Sequence, residues 1–245
     1  MLCITVLIYM YYKANHDTID YKSISLEKHE ESSEPWTLFF ISDVHTRLIK
    51  TSTLECIKEK VDVVVIGGDL VEKGVSLKQV QKNINILKSF GAPIYFVWGN
   101  NDYELDVLEL TKQLESQGVH ILKNSADNFV HNKQVISFIG LDCCKMREAK
   151  FIEGIEHANG HIKILITHHP KAFFELSASE IEDIDFALSG HTHGGQIRFF
   201  GIGPYSRGGY KKHFEKTMLI SEGYGYTKLP LRLGTNAECH VITFE

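Results

Sequence analysis

Trp36-Thr37-Leu38-Phe39-Phe40-Ile41-Ser42-Asp43-Val44-His45 opens as a short apolar run and ends in a carboxylate and an imidazole. A run of this kind, stopped by polar residues, predicts a buried strand with chemistry at its carboxyl end. The pattern repeats downstream. Val61 to Ile66 is a second strand-like run, stopped by Gly67-Gly68-Asp69. Pro93 to Trp98 is a third, stopped by Gly99-Asn100-Asn101-Asp102. Between them, Leu77, Val80, Ile84 and Leu87 recur on one helical face of Ser76 to Phe90, with Ser76 placed as a cap. Glu104 to Ser116 reads as a further helix and Val119 to Leu122 as a strand. Strand, loop, helix and strand in succession predict βαβ units and a largely parallel region. Ligands in such sheets collect at the carboxyl ends of the strands.

The second half changes character. Val135 to Ile139, Ile162 to Thr167, Phe186 to Leu188, Ile197 to Phe200, Met218 to Ser221 and Cys239 to Phe244 are short β-like runs separated by Gly-rich turns. They predict a second, more mixed sheet packed on the first, with helices outside.

The chain has 245 residues, 43% of them apolar, which suffices for a sizeable core and one large domain. Its net charge is −5 and it has no Lys/Arg run, so no nucleic-acid partner is expected. The five Cys make no CxxC pair, which argues against a disulfide framework and a thiolate zinc site. Leu2 to Tyr12 is apolar without interruption, yet shorter than the ~20 residues of a spanning helix. It lacks a basic leader and a cleavage signal. Residues 1–12 therefore read as a short or incomplete membrane anchor, 13–34 as a polar linker, and 35–245 as the domain. One Lys is too little to set the side of the membrane.

Several of the polar segments are rich in metal-ligating groups. Asp43 and His45 lie two apart, so in an extended segment both could reach one ion. Asp69 offers two carboxylate oxygens, enough to bridge two cations, and Asn100 offers a carbonyl oxygen. His168 ends a strand-like run, and its neighbour His169 should point away. His191 and His193 repeat the two-apart spacing before Gly194-Gly195. Each motif alone is weak; together they point to two divalent cations sharing one carboxylate, the usual machinery for phosphoester hydrolysis.

The ordered set D-x-H, G-D, G-N-x-D, H and G-H-x-H resembles the calcineurin-like metallophosphoesterase superfamily, from about Trp36 to Phe244. Leu188 to Ile197 looks like the branch of small, membrane-associated bacterial phosphodiesterases. The resemblance implies an α/β, four-layer αββα sandwich of two mixed sheets flanked by helices. It implies one metal on Asp43, His45, Asp69 and His193, and another on Asp69, Asn100, His168 and His191. The metals would be Mn, Fe or Zn, and a metal-bound hydroxide would attack phosphorus. The location implied is a bacterial cell membrane, and the substrate a phosphoester, more readily a diester, lipid-linked or envelope-derived.

One position departs from the family. Its usual G-N-H-D/E has Asn101 in place of His. Asn cannot act as a general acid, although its amide can donate a hydrogen bond to phosphate. Asn101 and Asp102 are still the candidate catalytic pair, with Asp102 orienting Asn101, and Arg198 and Arg207 read either as auxiliary phosphate contacts or as ordinary surface arginines. The departure keeps open a second reading, a weakly catalytic metal-binding scaffold that recruits a partner protein. Aromatics such as Phe199, Phe200, Tyr205 and Tyr210 read first as packing, and otherwise as an apolar lip for an acyl chain.

Overall fold

The computed structural model describes residues 2–26, 34–143 and 148–245. In chain order its elements are α1 (Leu2–Asn15), β1 (Asp17–Ile24), β2 (Trp36–Ile41), α2 (Thr51–Glu55), β3 (Val63–Ile66), α3 (Leu77–Leu87), β4 (Ile94–Val97), α4 (Val107–Ser116), β5 (Val119–Leu122), β6 (Ser125–His131), β7 (Gln134–Leu141), α5 (Phe151–Ile155), β8 (Ile162–Thr167), α6 (Lys171–Phe174), α7 (Ala178–Ile181), β9 (Phe186–Ser189), β10 (Gly209–His213), β11 (Lys216–Ile220) and β12 (Ala237–Phe244).

The strands form two six-stranded sheets, ordered β1-β12-β2-β3-β4-β5 and β10-β11-β9-β8-β7-β6. In the first, β2 to β5 run parallel and β12 runs antiparallel to β2. In the second, β7, β8, β9 and β11 are parallel, with β6 and β10 as antiparallel edges.

Strand β2 shows how the layers form. All six of its residues are buried, because both faces of the sheet are covered. Leu38 and Phe40 point into a core shared with Phe138, Ile164 and Leu188 of the second sheet. Phe39 and Ile41 point the other way, against Val80, Ile84 and Leu87 of α3 and Leu110 and Leu114 of α4. A third cluster, including Leu165, Phe173 and Ile181, covers the far face of the second sheet. The result is the expected four-layer αββα sandwich. Ser76 caps α3 by accepting from the Gln79 amide, as its position suggested.

The structure departs from the sequence reading in three places. Residues 17–24, assigned to a linker, form β1 and pair in parallel with β12 from Asp17↔Ala237 to Ile24↔Phe244. Their polar look hides satisfied groups: the Asp17 carboxylate accepts from Arg47, Thr53 and Tyr224. Residues 27–33 of that segment lie outside the described residues. Ile197 to Phe200 is no strand but part of a tight hairpin, with Phe200 and Gly201 both at positive φ (49° and 82°). Edge strands β6 and β10 went unread because their faces are mostly polar. Among the described residues, no helix is long and apolar enough to cross a membrane.

Candidate metal centre

The seven candidate ligands converge at the carboxyl ends of β2, β3, β4, β8 and β9. Asp43, His45 and His193 form one donor group, and Asp69, His168 and His191 a second. Within each, the donor atoms lie within 4.8 Å of one another. Asp69 stands between them. Its Oδ2 is 3.2 Å from His168 Nε2 and 3.9 Å from His45 Nε2. His45 Nε2 and His193 Nε2 face each other at 3.0 Å, and His193 Nε2 lies 3.4 Å from Asp43 Oδ1. His191 Nδ1 lies 3.2 Å from His168 Nε2.

Side chains two apart do not meet here by strand alternation. Asp43, His45, Asp69, His191 and His193 all sit at positive φ, between 49° and 73°. A non-glycine residue rarely adopts that region, and such strain persists only where its surroundings over-determine it. The supports are visible. The Asp43 amide donates to Gly68 O (2.9 Å) and the His45 amide to Asp69 O (3.1 Å). Gly225 donates to Asp43 O at 2.7 Å. Gly190 and Gly99 must lack a Cβ, because one would strike the Asp43 and Asp69 carboxylates respectively. His191 and His193, both at positive φ, go to different groups.

The donors are arranged as ligands. His168 donates from Nδ1 to Gly67 O at 2.9 Å, which leaves Nε2 with a free lone pair in the neutral ring. His45 Nδ1 lies 3.0 Å from Glu72 Oε2, an ion-pair contact with a carboxylate outside the donor group. Asn100 donates from Nδ2 to Asn101 Oδ1 (2.7 Å), and its own Oδ1 is buried with no partner. A buried carbonyl oxygen left bare on a residue that shares its cleft with Asp69, His191 and His193 is what a cation would satisfy. The residues therefore fit a pair of divalent ions.

Charges without a cation are strained in both directions. Burial and the Asp69 charge push the Asp102 carboxyl up to about 7. Burial opposes a charge on His168, but Asp69 outweighs it and holds the imidazolium up to about 9. Burial, His45 and Arg232 press His193 well below the ordinary imidazole value.

Two expected roles change. Asp102 does not orient the Asn101 side chain. Its carboxylate accepts from the amides of Gly99 (2.7 Å), Asp69 (2.8 Å) and Val71 (3.0 Å), so it clamps the loop that carries Asp69. The Asn101 side chain is held by Asn100 and by Glu104, to which it donates at 3.2 Å. Arg198 is turned to the backbone. It donates to Gly194 O (2.8 Å), Gly201 O and Tyr205 O, and so braces the hairpin that follows the last ligand. His169 lies beside His191, with ring centroids 4.2 Å apart.

Sequence reasoning missed Glu72 and Arg232. Arg232 is fully buried and donates to His193 Nδ1 (3.2 Å) and to the carbonyls of Glu222, Gly223 and Gly225. Nothing in its local sequence marks it; Glu72 had one available signal, a carboxylate three residues after Asp69. The ligands open into a cleft of about 600 Å³ whose walls include Glu72, Lys73, Glu104, Tyr205 and Lys228.

A four-layer sandwich with two donor groups at its strand ends defines a metallophosphoesterase. Residues 37–195 match the family model for calcineurin-like phosphoesterases, and the chain belongs to that family. It is 43% identical over 211 residues to the uncharacterized protein YpbG of Bacillus subtilis, covering 85% of this chain and 81% of that one. It is 26% identical over 260 residues to the metallophosphoesterase YkoQ of the same organism, covering 97% and 95%. The fold also matches the crystal structure of a 5'-nucleotidase precursor from Thermus thermophilus, with a TM-score of 0.56 at 12% identity. That match covers 86% of this chain and 55% of the other.

Proposed function

We propose that the protein hydrolyses phosphodiesters with two divalent cations, Mn, Fe or Zn, held between its sheets. The observation that carries this is Asp69, whose Oδ2 lies 3.2 Å from His168 and 3.9 Å from His45, with Asn100, its oxygen bare, lining the same cleft. Asp43, His45, Asp69 and His193 would hold one ion, and Asp69, Asn100, His168 and His191 the other. When bound, such a pair neutralises phosphate oxygens and makes a nucleophile of water at neutral pH.

The chain's own residues account for the rest. Asn101 offers an amide N–H to a phosphate oxygen and has no proton to give a leaving group. A substrate whose leaving group needs little help suits that site. The cleft wall carries Glu72 and Glu104 against Lys73 and Lys228, so it adds no net positive charge. Such a wall suits a singly charged diester better than a doubly charged monoester, and it adds no attraction for polyanions such as nucleic acid. The cleft has wall on both sides of the ligands, from Glu104 to Tyr205, which gives each ester substituent a place.

The test is hydrolysis of bis(p-nitrophenyl) phosphate after chelation and return of Mn2+. Release of nitrophenol that tracks two bound ions per chain is the expected result. Two ions bound with no release would replace the enzyme by the scaffold reading, which Asn101 alone favours.

A further inference from the structure

Among the described residues, little protein packs on the N-terminal half of α1. Residues 3–9, Cys-Ile-Thr-Val-Leu-Ile-Tyr, are exposed at every position, and only Met10 and Ala14 of the described helix are buried. An apolar helix wet on all sides is not the one-sided stripe of a surface helix. A second apolar element stands nearby. The hairpin tip Phe199-Phe200-Gly201-Ile202 exposes Phe200 fully and Ile202 at 79%.

Both elements hang on one short segment, residues 229–233. The Arg232 amide donates to Met10 O of α1 at 3.0 Å. The next residue, Leu233, bonds the hairpin instead, donating to Gln196 O (3.0 Å) and accepting from the Arg198 amide (2.8 Å). Arg232 and Leu233 are adjacent, so the end of the helix and the base of the hairpin meet at neighbouring positions of one turn-rich segment. Exposed Leu229 lies on the same segment, and Tyr205 after the hairpin lines the cleft.

We propose that α1 and the 199–202 hairpin together dock the protein on an anionic lipid bilayer, beside the mouth of the metal cleft. Two observations select lipid over a protein partner. A helix that docks in a protein groove presents one apolar face, whereas residues 3–9 are apolar or small on every side, as in helices buried in hydrocarbon. The charge also matches: leaving aside buried Arg232 and carbonyl-bound Arg198, α1, the hairpin and its flanks still carry Lys13, Lys211 and Lys228, with Arg207 and Lys212 paired to Glu222 and Glu215, in a chain of net charge −5. Tyr9, Tyr11 and Tyr12 beside Lys13 give the aromatic and basic collar found at membrane interfaces. Arg198 keeps the hairpin rigid, so inserting its tip costs little ordering.

The test is flotation of the full chain with vesicles of phosphatidylcholine, with and without phosphatidylglycerol, read without added metal. Binding to the anionic vesicles should exceed binding to the neutral ones about 10-fold and weaken in high salt. A Phe200→Ser/Ile202→Ser variant should lose about 10-fold in vesicle binding and keep its hydrolysis of a soluble diester. An Ile4→Ser/Leu7→Ser/Ile8→Ser variant should lose at least as much. Absence of wild-type binding overturns the proposal. So does a hairpin variant that binds like wild type, because the helix would then act alone. A wild-type dimer that ignores vesicles and dissociates on the α1 substitutions would assign the helix to a second copy. Binding is scored apart from turnover, so failure here leaves the hydrolase reading untouched, and failure of that reading leaves this one standing.

Discussion

The two sheets supply the centre with different chemistry. Loops after β2, β3 and β4 bring Asp43, His45, Asp69 and Asn100, which is mostly oxygen. Loops after β8 and β9 bring His168, His191 and His193, which is imidazole alone. The anchors differ in the same sense. On the first side, buried carboxylates hold the framework: Asp102 takes three backbone amides, and Asp17 takes Arg47, Thr53 and Tyr224. On the second, the buried cation Arg232 takes three carbonyls and His193. The demand for positive charge therefore sits on the first sheet. The second sheet supplies neutral donors that shape the site.

The strongest way to break this comparison is Asp69→Asn against His191→Ala. Asp69 serves both donor groups by position and carries charge; His191 belongs to one group. Asp69→Asn should drop bound metal below one per chain and kcat/KM by about 10³-fold. His191→Ala should retain one ion and lose less activity. Equal losses of metal, measured by elemental analysis, would show that the two sheets contribute alike.

Asp17→Asn tests the anchors, and the expected effect is on stability. Removing one partner of a buried ion pair leaves the other charge stranded, at a cost of about 3 kcal/mol. Arg47 is that stranded partner, 2.6 Å from Asp17. Urea unfolding reads the loss. Burial works against ionising Asp17, but bonds from Thr53, Tyr224 and Arg47 outweigh it and hold its carboxyl below 3.8. Its contribution is thus fully present above pH 3.8 and fades as pH falls through the lower folded value. A cost that is unchanged at low pH would remove charge from the account of this anchor.

How much of this was legible follows from what sequence signals encode. The β2 to β5 region and the donor set could be read because fully apolar strands and imidazole or carboxylate at strand ends are local features. Asp17, Glu72 and Arg232 could not. Each is a charged residue made buried or functional only by partners distant in sequence, as Arg232 is by His193 and Glu222. The same blindness turned β1 into a linker, because its polar residues gave no sign that Arg47, Tyr224 and His240 would meet them. Arg198 failed in the opposite direction. It was read as a phosphate contact, while nearby carbonyls take its Nη1 and Nη2 groups.

Asn101→His asks whether the oxygen-rich side lacks an acid. With an alkyl diester, whose leaving group needs a proton, the substitution should raise kcat by up to about 10²-fold, the low end for a general acid. With the nitrophenyl ester it should change little. An equal response to both substrates would mean that Asn101 acts by position and not through the missing proton.

The smallest expected effect concerns the edge that β1 adds to the first sheet. His240 on β12 lies 3.2 Å from Asp20 on β1 and 3.4 Å from Glu238. Burial opposes its protonation, but its bonds to those carboxylates prevail and raise its pKa above 6.5. The pair therefore stabilises fully below pH 6.5 and loses that contribution as pH rises through the folded value. Asp20 is half exposed, so Asp20→Asn should cost only about 0.5 kcal/mol at pH 6 and essentially nothing at pH 9. Thermal unfolding at the two pH values measures it. A pH-dependent cost would extend charge anchoring on the first sheet from its loops to its outermost strand. A cost equal at both values would show that β1 is held by its eight-residue ladder with β12 and by packing, and would confine the contrast between the sheets to the metal centre itself.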